Sequence, residues 1–158
     1  MRFVLVDRII EQDARRVVAV KAVTTAEEYL ADHFPGFAVL PGVMMIEAMT
    51  QAARCLAAAA RPDIARPWVL SEVRGVRYGQ LVRPGQLLEV DVSFRGQPPA
   101  RAAEPTAEPE TAQRPKLSFD GLGRVEGQTA VQGRLTLEPL PEPPPTGPGP
   151  GGHPATET

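Results

Sequence analysis

Several things are scarce in this 158-residue chain. There is one cysteine, so no internal disulfide can form, and there are only two histidines. A four-ligand Cys/His zinc centre cannot be assembled from that supply, and no metal is expected. Aromatic residues make up 5%. Excess charge of one sign is also missing: 17 basic against 19 acidic residues leave a formal net charge of -2. That balance argues against a nucleic-acid footprint over the whole domain. An uninterrupted apolar run is missing too. The longest candidate, Val43 to Ala60, carries Glu47, Thr50, Gln51 and Arg54, which argues against a membrane span. The opening residues show no secretory pattern, so a reducing, cytoplasmic setting is expected.

Proline is abundant but uneven. Of 18 prolines, five fall in Gln97–Pro115 and eight in Pro139–Thr158. The first segment has no Val, Ile, Leu or aromatic residue and cannot offset its ordering entropy, so a disordered insert is expected there. The second reads as a disordered Pro/Gly-rich tail. One domain, residues 1–138 less the insert, remains to fold.

That domain opens with Phe3–Ile10 and Arg16–Val23, two Val/Ile-rich runs around a polar turn, which predict a hairpin. Pro41-Gly42 introduces a run of good helix formers that stops at Arg61-Pro62 and predicts a helix over 43–60. Strand-like pieces follow at Trp68–Tyr78 (broken by Gly75), Leu87–Phe94, Leu117–Glu126 and Gln128–Leu137. The order predicts an α+β fold with one helix on an antiparallel sheet. Glu47, Thr50, Gln51 and Arg54 are spaced i, i+3, i+4, i+7 and share one stripe of an otherwise apolar helix. Periodicity leaves two readings open: a stripe facing solvent, or the only polar material on a surrounded helix.

Chemistry concentrates in Asp32–Gln51, DHFPGFAVLPGVMMIEAMTQ. His33 stands in a Pro/Gly-fixed loop. Gly42 opens the helix, where backbone N–H groups are unpaired and the dipole is positive. Glu47 follows about a turn and a half inside. A base, an acid and a carbonyl-polarising donor are what loss of water from a β-hydroxyacyl compound requires. Taken singly, each has an ordinary explanation: a surface histidine, a solvated glutamate, a capping turn.

The segment His33 to Gln51 resembles the signature HFPGxPVxPGVLxxEAxAQ of the (3R)-hydroxyacyl-[acyl-carrier-protein] dehydratases, the FabZ/FabA family. Phe3–Arg8 resembles that family's FLLVDR opening, Val18–Val23 its IVAVKNVT strand, and Leu81–Gly85 its RPVxPGD turn. The resemblance implies a hotdog fold, in which a long central helix is wrapped by an antiparallel sheet. It implies a homodimer with active sites shared between subunits, in some members a trimer of dimers. It places the catalytic histidine on His33, the helix carboxylate on Glu47, the carbonyl-polarising N–H on Gly42 and an orienting glutamine on Gln51. Glutamate at 47 is the FabZ-like choice. The implied reaction is dehydration of (3R)-3-hydroxyacyl thioesters to trans-2-enoyl thioesters, in fatty-acid or polyketide-type synthesis. No cofactor is implied beyond the phosphopantetheine of an acyl carrier protein. A hotdog thioesterase and a non-catalytic carrier-binding subunit are the alternatives.

Delivery of a proton by Glu47 calls for burial among apolar groups such as Met44 and Ile46. Phe34, Met44 and Met49 are candidates to line an acyl tunnel. Arg54–Arg95 holds seven arginines against four acids, and Arg74, Arg77 and Arg83 are candidates to dock an acidic carrier. The chain departs from the family at Ala38, where proline is usual, at Arg77-Tyr78-Gly79-Gln80, where a Phe-Arg-Arg-Pro-like run is common, and at Gln86, usually aspartate.

Overall fold

The computed structural model describes residues 4–99 and 114–141. The strands are β1 (Arg8–Gln12), β2 (Arg16–Ala22), β3 (Trp68–Tyr78), β4 (Leu87–Phe94), β5 (Leu117–Val125) and β6 (Gln128–Pro139). The helix α1 (Gly42–Ala60) lies between β2 and β3, and one 3-10 turn covers Glu28–Leu30. Every pairing is antiparallel, and the sheet order is β1-β2-β4-β5-β6-β3. β1 and β3 are therefore the sheet edges.

Alternation decides which face is inside. In β4, Leu88, Val90, Val92 and Phe94 are buried while Leu87 and Glu89 are exposed. They meet the helix face made by Met45, Ala48, Met49, Ala52, Ala53, Leu56 and Ala57. Small residues on that face let helix and sheet approach closely. A Cβ on Gly121 of β5 would stand 2.9 Å from the Met49 sulfur. Each large side chain sealed in this layer contributes ~1.5–3 kcal/mol of hydrophobic stabilisation.

The α+β architecture matches the sequence reading, with three differences. The first strand begins at Arg8, not Phe3. Leu5 is buried and its N–H goes to the Gln51 side chain at 2.8 Å, so Leu5 serves the helix, and bonding to β2 begins at the Asp7 N–H. Gly75 does not break β3: it has φ +61 and lies with Val76 between the paired stretches Glu72–Arg74 and Arg77–Tyr78, so the strand continues through an irregularity. β6 continues to Pro139, which pairs with Trp68, and the Leu140 N–H donates to the Pro67 carbonyl at 2.8 Å. Order thus extends past the expected boundary at 138. Residues 100–113 of the expected insert and 142–158 of the expected tail lie outside the described residues. No described helix is long and apolar enough to cross a membrane.

Candidate active site

The helix starts without a side-chain cap, because Pro41 occupies the N-cap position. The Gly42 and Val43 N–H groups precede the first helical bonds, which the Met44 and Met45 N–H groups donate to the Pro41 carbonyl at 2.9 and 3.2 Å. Glycine at 42 lets the Tyr78 ring approach the helix start closely. A Cβ there would lie 2.6 Å from Cε1 and 3.0 Å from the hydroxyl of Tyr78. The Tyr78 ring thus packs on the helix N-terminus, at the end of β3.

His33 is set by the loop before the helix. Its Nδ1 is 3.1 Å from the Val39 carbonyl oxygen, and the Val39 N–H returns to the His33 carbonyl at 2.9 Å. A carbonyl can only accept, so Nδ1 carries the hydrogen and Nε2 of the neutral ring keeps its lone pair. Phe34 stacks on the imidazole with centroids 4.3 Å apart. The loop is anchored by the Leu40 N–H on the Val82 carbonyl at 2.8 Å.

On the helix, Glu47 Oε1 accepts from Gln51 Nε2 at 3.1 Å and from Arg54 Nη1 at 3.1 Å. Gln51 Oε1 accepts in turn from the Leu5 N–H. The glutamine therefore joins the chain entering β1 to the carboxylate one turn back. Thr50, the fourth member of the stripe, is buried and bonds the Ile46 carbonyl at 2.9 Å. The polar stripe is thus split: Thr50 lies inside, while Glu47 and Arg54 reach partly into solvent. The apolar enclosure expected for Glu47 is not present, because its side chain is 34% exposed and faces the Arg54 guanidinium. Arg54 lies beyond the last motif position, Gln51, and the sequence reading gave it no part. Its signal was the i+7 spacing from Glu47.

The tunnel candidates separate. Phe34 is exposed and lines a cleft of about 430 Å³ with Phe37, Leu30 and Pro84. Met44 is half-buried, packed against the core. Met49 is wholly enclosed against Gly121, a core residue without a share in that cleft. The three arginines also occupy different places. Arg74 pairs with Glu72 at 2.6 Å. Arg77 lines an outer-face cleft with Asp120 and Arg134. Arg83 lies 4.4 Å over the Phe37 ring, against the His33 loop. Gln86 closes the Pro84-Gly85 turn: its Oε1 accepts from the Arg83 N–H at 2.8 Å, and Gly85 has φ +92.

Comparison with known proteins bears on this arrangement. The FabA-like domain matches residues 1–108. The chain is 41% identical over 134 residues to the 3-hydroxyacyl-[acyl-carrier-protein] dehydratase FabZ of Anaeromyxobacter dehalogenans (strain 2CP-C), covering 82% of this chain and 76% of that one. It is 32% identical over 138 residues to the FabZ of Aromatoleum aromaticum, covering 85% of each. The chain belongs to the FabA-like family, in its FabZ group. A match to the FabZ of Solibacter usitatus reaches 42% identity over 93 residues but spans 58% of this chain and 57% of that relative. Among solved structures, the dehydratase heterocomplex ApeI:P from Xenorhabdus doucetiae matches with TM-score 0.64 at 21% identity, covering 88% of this chain and 84% of that one. Thioesterase superfamily member 2 from Mus musculus matches with TM-score 0.56 at 10% identity, covering 83% and 80%. These neighbours show that this FabZ-type chain has the hotdog fold.

Proposed function

We propose that this chain removes water from (3R)-3-hydroxyacyl thioesters carried on an acyl carrier protein, giving trans-2-enoyl thioesters for fatty-acid or polyketide-type synthesis. The observation that carries the reading is the His33 tautomer. With Nδ1–H held by the Val39 carbonyl, Nε2 is the free base for the α-proton. The Gly42 N–H polarises the thioester carbonyl as negative charge builds on its oxygen. The Cα–H electrons form the double bond, the C3–O bond breaks, and the hydroxyl leaves as water with a proton from Glu47. Gln51 orients that carboxylate. The carrier's phosphopantetheine brings the acyl group, and no further cofactor enters these steps.

The active unit in this reading is a homodimer. β3, with 11 residues, is a long sheet edge suited to pairing with a second copy. A partner over the helix stripe would also supply the enclosure that Glu47 lacks in one chain. Arg83, and to a lesser degree Arg74 and Arg77, would meet the acidic carrier.

The test is turnover of a 3-hydroxyacyl carrier thioester, followed by formation of the enoyl product. Wild type forms it. His33→Ala and Glu47→Gln each lose on the order of 10²–10⁴-fold, the span of a general acid or base. Enoyl formation that survives both changes, or release of free thiol in its place, overturns the reading.

A further inference from the structure

Lysine rarely faces the inside of a sheet, and here one does. Along the inner face of β2 and the residue after it stand Val17, Ala19, Lys21 and Val23. Lys21 is 5% exposed and is the one buried charged side chain among the described residues. A buried ammonium has to be paired. Its Nζ donates to Glu27 Oε1 at 2.5 Å, and Asp7 Oδ2 stands 3.7 Å away. Replacing a buried ion pair by apolar residues is often neutral or stabilising, so net stability does not account for a lysine at this position.

Glu27 opens the turn that leads to His33. Its carbonyl accepts from the Leu30 N–H at 3.0 Å, and the Leu30 carbonyl accepts from the His33 N–H at 3.4 Å. Among the described residues, the backbone bonds of residues 24–32 all stay within 24–33, so no sheet ladder holds this limb of the loop. Packing against the loop it feeds is also incomplete, because Thr25, Glu27, Phe34 and Phe37 share the walls of a cleft of about 430 Å³. The limb is tied to the core by the buried Leu30, by Tyr29 packed against it, and by the bond from Lys21. The far limb is held separately, by the Leu40 N–H on the Val82 carbonyl.

We infer that Lys21 and Glu27 are a positioning pair for His33: the buried lysine ties the turn before the loop to β2 and so fixes where the imidazole stands. The inference rests on the dehydratase reading and adds two residues to it. Neither residue touches substrate in this role. Both act through the backbone of the turn.

The experiment separates position from stability. Lys21→Met alone strands the Glu27 carboxylate beside an apolar side chain and should lower the urea midpoint. Lys21→Met with Glu27→Leu removes both charges and should bring the midpoint back near that of wild type. Its kcat on the 3-hydroxyacyl carrier thioester should still be about tenfold to a hundredfold low, since a 1 Å misplacement of a reacting group costs on the order of 10²-fold. KM should stay within about twofold. The ring ¹⁵N signals of His33 give a reading independent of turnover. The chain has two histidines, so His153→Ala assigns them. Wild type should show the Nδ1–H tautomer alone, and the double variant a mixture of both tautomers.

A stable double variant with wild-type kcat and a single tautomer overturns the positioning role, and so does a loss confined to KM. If the double variant does not fold, Glu27→Ala decides, because that side chain is 18% exposed and lies in a turn. It should show the same fall in kcat, and Glu27→Gln, which keeps an acceptor for Lys21, should recover most of it. Wild-type kcat in Glu27→Ala overturns the inference. The two readings fail separately. No enoyl product from wild type, with mixed tautomers once the pair is removed, takes away the dehydratase reading and keeps the positioning pair.

Discussion

Gln51 is the residue at which stability and catalysis can be pulled apart. Its Oε1 satisfies the N–H of Leu5, which is 2% exposed, and its Nε2 holds Glu47. Gln51→Leu removes both bonds in a side chain of similar bulk. The Leu5 N–H is then buried without an acceptor, which costs about 1–3 kcal/mol. The bond to the part-exposed Glu47 adds ~0.5 kcal/mol, near the low end for a hydrogen bond. A loss of ~2 kcal/mol follows. Gln51→Glu behaves differently, since it keeps an acceptor for Leu5 but sets two carboxylates at i and i+4. Like charges at that spacing cost a few tenths, about 0.2–0.5 kcal/mol, so this variant stays close to wild type in stability. Both variants lose one of the two donors that hold Glu47, and in the proposed mechanism a 1 Å displacement of that acid can cost on the order of 10²-fold in rate. The assay is urea unfolding at one fixed protein concentration, alongside turnover of the carrier thioester. Gln51→Leu within about 0.5 kcal/mol of wild type would refute the structural half of the reasoning. Gln51→Glu with wild-type turnover would refute the catalytic half.

Two further outcomes follow from the same contacts. Gly42→Ala puts a Cβ at 2.6 Å from the Tyr78 ring; that ring is 53% exposed and can swing away, so stability by urea unfolding changes by less than ~1 kcal/mol. Turnover should fall and recover in part when Tyr78→Ala is added, and a double variant no better than Gly42→Ala alone would show that the ring is not the obstacle. The Arg16 guanidinium, bonded to Asp91 at 2.8 and 2.9 Å and seconded by Arg124, holds the Asp91 carboxyl below the usual carboxylate range. A depressed folded value stabilises the fold at pH above the unfolded carboxylate range, and that contribution is lost as pH falls through the folded value. Asp91→Asn should therefore cost ~1 kcal/mol at pH 7, discounted because Arg16 is partly exposed. The gap to wild type, followed by thermal unfolding, should narrow below about pH 4; a gap constant from pH 7 to pH 3 would exclude this pair as its source.

How much was legible follows from which interactions are local in the chain. The helix was readable almost to the residue, because Pro41, the Ala/Met run and Arg61-Pro62 act within a few positions of one another. β4 was readable because Leu88, Val90 and Val92 alternate with polar neighbours under one sheet face. The first strand was misjudged because Leu5 looks like a strand residue. What it does is set by Gln51, 46 positions away, and no local pattern reports a backbone N–H bonded to a distant side chain. Gly75 looked like a break because a glycine in a strand weakens it, yet the long pairing with β6 carries the strand past Gly75 and Val76.

The site divides along the same line. His33, Gly42, Glu47 and Gln51 lie within 19 residues of sequence, so a linear motif could name them. Tyr78, Arg54 and Trp68 enter from sequence positions that no motif joins to them. Tyr78 meets Gly42 because β3 ends beside the helix start, and Trp68 meets Arg54 at one cleft because β3 begins beside the helix's second half. One strand thus places one aromatic residue by the helix start and another beside its second half. In the elimination proposed above the motif residues are the ones assigned to C2, C3 and the carbonyl, the same for any acyl chain. The residues that only the fold brings in surround that set: Tyr78 packs on the helix start and Arg54 bonds the Glu47 carboxylate. This is why the sequence could point to a reaction and not to a substrate.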